Sequence, residues 1–163
     1  GAEAPPAGAL RGEGERSVAV LASNWVPLWC GCASPASETA AAAARSLLAS
    51  ELVQEAAIAV SLNETGQQWD FPNSWPPLQH MLVEGLARSG TADGFTASRS
   101  LAQRWLSAVS AGYASSGKMH EKYDARDPSG TAGGGGEYDP QTGFGWTNGV
   151  ALSFLALYGT AES

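Results

Sequence analysis

The chain has 163 residues, 44% of them hydrophobic and 15% charged, enough for one domain with its own core. A net charge of −7 excludes the basic surface that a nucleic-acid partner needs for phosphate contacts. No run of 18 apolar residues occurs, so no segment reads as a transmembrane helix.

Residues 1–16, "GAEAPPAGALRGEGER", are rich in Ala, Gly, Pro and Glu without an apolar period and read as a low-complexity or disordered segment. Residues 17–163 form the folded part. The chain does not begin with Met and shows no secretory leader, and its compartment and oligomeric state are left open. "SVAVLASNWVPLWCGC" (17–32) predicts a buried helix, bent near Pro27. Cys30 and Cys32 are too close for an easy disulfide and supply at most half of a zinc site. They are expected as buried thiols in that helix, where a free Cys behaves as a small hydrophobe. Ser37 and the Ala run after it predict a helix over about 37–50.

Leu78, Met81, Leu82 and Leu86 then recur at helical spacing behind a Pro-Pro start, and Gly90 is the expected stop. A long helix follows, in which Phe95, Leu101, Trp105, Leu106, Val109 and Tyr113 roughly keep the period and Gly117 ends it. "ARDPSGTAGGGGEYDPQTGFGW" reads as a long Gly-rich loop, and "TNGVALSFLALYG" as a short closing apolar helix. β-branched residues are sparse and never alternate for long. The expectation is an all-α fold of about five helices, with two long loops placed where functional sites usually lie.

The first loop, "GQQWDFPNSWPPLQH", is stiffened by Pro72, Pro76 and Pro77, which preorganise it. Trp69, Phe71 and Trp75 offer flat apolar faces, and Asp70 and Asn73 offer hydrogen-bonding tips, a combination that suits a sugar. The same composition also suits a structural loop whose Trp side chains plug the core. The second loop brings Glu121 and Glu137 near Tyr123, Tyr138, Phe144 and Trp146, with Gly133–Gly136 between. Two carboxylates on a folded-back loop suit acid–base chemistry, although both also suit a solvated loop. The Gly run permits either close backbone approach or a flexible linker. His80 and Glu84 stand four apart on one helix, but no third convincing ligand accompanies them, so no metal and no cofactor is expected. No nucleophile elbow, phosphate loop or dinucleotide fingerprint occurs.

These words resemble the trehalase family. "GQQWDFPNSWPPLQH" resembles its signature Gln-Trp-Asp-x-Pro-Asn-Gly-Trp-Ala-Pro-Leu-Gln. "ASNWVPLWCG", "MHEKYD", "GGGGEY" and "QTGFGWTNGV" resemble further segments of the same catalytic domain, in the same order, and the wording is plant- or alga-like. The resemblance implies an (α/α)6 toroid, of which this chain is the C-terminal part with about five helices. It implies a glycosidase that hydrolyses α,α-trehalose to two glucoses with inversion. By motif, Glu121 matches the general base, Glu137 a substrate-binding glutamate and Trp75 a pocket wall, with Trp146 in a matching motif.

Ser74 and Pro76 depart from the usual Gly and Ala. The family's general acid belongs to an upstream segment that no stretch of this chain matches. Asp70 sits in the other signature and is not that acid. The chain alone is therefore expected to be inactive. Two other readings remain: a non-catalytic fragment that binds sugar weakly or pairs with a chain supplying the other half, and a helical scaffold without ligand.

Overall fold

The computed structural model describes residues 19–136, 139 and 141–159. The low-complexity segment 1–16 and Glu137 lie outside the described residues. Among the described residues five α-helices carry the fold: α1 (Val26–Trp29), α2 (Glu38–Leu48), α3 (Pro76–Arg88), α4 (Ala92–Ser116) and α5 (Gly145–Tyr158). A 3-10 turn over Ala22–Trp25 leads into α1. Among the described residues, no helix is long and apolar enough to cross a membrane.

The helix ends follow local chemistry. The Ser37 hydroxyl accepts from Ala40 N at 3.2 Å and caps α2. The Thr91 hydroxyl does the same for α4 at Gly94 N, 3.0 Å away. α3 opens with Pro76 and Pro77, whose missing N–H groups cost nothing in a first turn. α4 ends where Gly117 turns left-handed at φ 69°.

The first helix is shorter than the apolar run suggests. Gly31, at φ 75°, reverses the chain, and Cys32 N returns to Pro27 O at 3.0 Å. This leaves Cys30 at the cap and Cys32 beyond it, so both are exposed free thiols rather than buried ones. Along α4 the inward stripe is Ser98, Leu101, Ala102, Trp105, Val109 and Gly112. Phe95 and Tyr113 each stand about 80° round the helix from Trp105 at 100° per residue. They lie at the edge of that stripe, and are 59% and 54% exposed.

α3 packs on α1, α4 and α5, and the core joins Leu82, Val83 and Leu86 to Leu101, Trp105, Val150 and Phe154. Against this core lies a non-helical segment, Ala56 to Ser61, all of it buried. The sequence reading passed over it. Buried backbone must find partners, and Gln79 supplies two: its Oε1 accepts from Ile58 N at 2.9 Å and its Nε2 donates to Ile58 O at 2.7 Å. The amide side chain thus acts as one residue of a neighbouring strand. Gln79→Leu should strand both Ile58 groups, at roughly 1–3 kcal/mol each. A urea-unfolding midpoint lowered to match would confirm it, and an unchanged midpoint would refute it.

There is also a small β-ladder, which the sparse β-branched residues did not announce. Strand β1 (Asn73–Ser74) pairs antiparallel with β2 (Tyr123–Asp124). It joins the two long loops to each other.

α5 is apolar on several sides, with Leu152, Leu155 and Leu157 at 68%, 56% and 57% exposed. A helix of this kind is normally covered. The chain alone should therefore self-associate at micromolar concentration. A single monomeric species by analytical ultracentrifugation would contradict that expectation.

Candidate active site

The first loop is fixed by its own polar tips. Asp70 accepts from Ser61 Oγ at 3.1 Å through one oxygen and from the Thr65 hydroxyl through the other. Phe71 N donates to Asn63 O at 2.7 Å, and Val60 N to Asn73 O at 2.9 Å. Asn73 Nδ2 donates across to Gly134 O at 3.0 Å. Of the expected ligand tips, Asp70 therefore spends both oxygens and Asn73 its Nδ2 on holding the loop, while Asn73 Oδ1 has no hydrogen-bond partner among the described residues. Arg126 lies 5.3 Å from the Phe71 ring and forms an ion pair with Asp124.

The Gly run is packed rather than free. Gly133 N donates to Lys122 O at 2.9 Å and Gly136 N to Gly66 O at 3.3 Å. A Cβ on Gly135, at φ 80°, would stand 2.5 Å from Gly66 O. Only glycine allows both that backbone conformation and that approach.

Residues 119–124 lie between these partners. Asp124 N bonds Thr131 O at 3.0 Å on one side. On the other, Glu121 N bonds Gln141 O at 3.0 Å and Gly143 N bonds Met119 O at 2.7 Å. The first turn of α5 reaches back as well: Trp146 Nε1 donates to Glu121 O at 3.0 Å, and Thr147 Oγ1 to His120 O at 2.7 Å. Every side of the Glu121 backbone is thus held by a separate part of the chain.

Glu121 itself is 2% exposed and Lys122 0%. Lys122 Nζ stands 3.4 Å from Glu121 Oε2 and 5.1 Å from the centroid of the Trp75 ring. Trp75 is 2% exposed. Trp69 stacks on it at 4.0 Å, and Trp146 meets it edge-on at 5.6 Å. The Trp75 indole donates to Gln68 O at 2.9 Å. Two stretches far apart in sequence thereby meet at one place. Glu121, Trp75 and Trp146 lie together there, while Glu137 and Tyr138 fall outside the described residues. Trp75 serves the core reading too, because Trp69 covers one of its faces.

His120 is held below the usual imidazole range, first by burial and then by the charge of Lys118. Tyr123 is raised by burial. His80 and Glu84 face α5 instead of a ligand: His80 stacks on Phe154 at 5.9 Å, and Glu84 accepts from Tyr158 OH at 2.6 Å. Burial and then Glu84 push the Tyr158 phenol up to about 12. Among the described residues, no group of three or more His, Cys, Asp or Glu could hold a metal ion. Lys122 is the buried neighbour of Glu121 that sequence reasoning missed, since a lysine is almost never fully buried.

Comparison with known proteins adds the following. The sequence model of the trehalase family matches residues 11–159. A probable trehalase of Oryza sativa subsp. japonica is 51% identical over 147 residues, covering 86% of this chain and 26% of that protein. The trehalase of Arabidopsis thaliana is 43% identical over 140 residues, covering 86% and 22%. The Homo sapiens enzyme is 44% identical over 138 residues, covering 84% and 23%. The chain spans about a quarter of the length of these relatives. Among solved structures, a neutral trehalase from Saccharomyces cerevisiae superposes with a TM-score of 0.65 at 23% identity, over 90% of this chain and 25% of that one. The fold is accordingly all-α, a partial helical toroid with five helices among the described residues. With a family match over nearly its whole length and plant relatives at this identity, the chain belongs to the trehalase family.

Proposed function

We propose that the protein carrying this chain hydrolyses α,α-trehalose to two glucoses with inversion, and that Glu121 is its general base. The observation that carries this reading is the meeting of Glu121 with Trp75 and Trp146 on one hydrogen-bonded framework. In an inverting hydrolysis the base takes a proton from water as the water oxygen bonds to the anomeric carbon. The bond to the glycosidic oxygen breaks on the opposite face, and a carboxylic acid protonates that oxygen. Here Glu121 receives the water proton. The acid comes from outside this chain's motifs. Trp75 and Trp146 are walls of the sugar pocket, and a sugar ring takes the place of Trp69 against the Trp75 indole. Glu137, four residues after Gly133, contributes hydrogen bonds to the sugar.

The test uses a full-length protein in which this chain is joined in frame to the N-terminal three quarters of an active trehalase. Glucose release is followed from trehalose, maltose and sucrose. Hydrolysis of trehalose well above the other two supports the reading. A folded protein that leaves trehalose intact, or cleaves all three alike, would overturn it.

A further inference from the structure

Lys122 has no role in the scheme above, yet among the described residues it is the most enclosed charged side chain at the site, at 0% exposure. Burying an ammonium is costly unless it is paired. Its stem passes beside Gly133, where a Cβ would come within 2.9 Å of Lys122 Cγ. The Gly run therefore leaves room for this side chain. The long stem brings the ammonium back to the carboxylate of the preceding residue, at 3.4 Å. The same ammonium stands over the Trp75 ring at 5.1 Å, where the indole face attracts it.

We propose that Lys122 is the positioning residue of the base: its ammonium locks the Glu121 carboxylate and the Trp75 wall into one unit. The inference rests on the proposed function. Lys122 transfers no proton and does not touch the sugar. It holds Glu121 Oε2, so that the carboxylate meets the attacking water at a fixed distance from a ring held against Trp75.

The test uses the full-length joined protein with two substitutions. Lys122→Met keeps the stem's bulk and removes the charge. It should lower kcat by on the order of 10²-fold, the loss that a misplacement of about 1 Å can cause, while KM moves less than about threefold. Lys122→Ala opens a space for a small cation. Added ethylammonium should restore kcat in a saturable way, while ethanol at the same concentration should not. A merely structural lysine would lower thermal stability and show no such rescue. A kcat for Lys122→Met within threefold of the parent overturns the proposal. So does a loss confined to KM, a folded Lys122→Ala that ethylammonium leaves unchanged, or a pair of variants that stay unfolded with the amine present. If the parent is active and Glu121→Gln is inactive, these outcomes overturn the Lys122 role alone. If the parent does not cleave trehalose, the proposed function fails and this inference falls with it.

Discussion

Glu121→Gln in the full-length joined protein should lower trehalose turnover by on the order of 10²–10⁴-fold, the usual contribution of a positioned acid–base group. KM should stay within about threefold. The amide has the shape of the carboxylate, and its oxygen can still accept from Lys122 Nζ, 3.4 Å away in the parent. The Glu121 backbone is unaffected, because Gln141, Trp146 and the ladder hold it through main-chain groups. What is lost is the ability to take a proton from water. Initial rates of glucose release measure the effect, with near-ultraviolet circular dichroism to check the fold. Turnover within tenfold of the parent would mean that the base is another residue.

Trp75→Ala should have the largest effect on stability. The indole is 2% exposed, and removing a buried Trp costs about 3–5 kcal/mol through lost burial and the cavity left behind. The change would also remove the stack with Trp69, the edge contact with Trp146, the hydrogen bond to Gln68 O and the ring under Lys122. Trp69→Ala is the control. That side chain is 52% exposed, and its loss should cost under about 1 kcal/mol. Urea-unfolding midpoints of the two variants compare them directly. Equal midpoints would show that Trp75 is not the keystone of the loop.

Local chemistry made the helix ends legible. Ser37, the Pro76–Pro77 start and Gly117 each mark a boundary that the structure keeps. Periodicity did less well at its margins: Phe95 and Tyr113 fit a helical count but sit at the edge of the buried stripe. The buried Ala56–Ser61 segment was hidden because its backbone partners are scattered, the Gln79 side chain beside Leu52 O, Asn73 O and Ala125 O, rather than one strand with its own pattern. A short continuous apolar run was the available signal. Cys30 and Cys32 were misplaced because the apolar run continues past Gly31, while the helix does not.

At the site, the motif words named Glu121, Glu137, Trp75 and Trp146; Glu121 lies near Trp75 and Trp146, and Glu137 lies outside the described residues. The motifs carried no information on what holds them. The pairing of residues 119–124 with 73–74, 131–133 and 141–143 joins distant backbone groups, which no periodicity displays. The Gly run could be read from sequence as a linker or as a close approach. The crowding at Gly133 and Gly135 decides for close approach.

The stereochemistry of the products tests the central claim most directly. Trehalose joins two α-configured anomeric carbons. If water attacks one of them from the face opposite the departing oxygen, as a base at Glu121 requires, that ring leaves as β-glucose and the other as α-glucose. Proton NMR of the full-length joined protein acting on trehalose, read within the first minutes before mutarotation, should show the two anomers appearing in equal amounts. Early accumulation of α-glucose alone would mean retention through a covalent intermediate, and would contradict the assignment of Glu121 as a base acting on water.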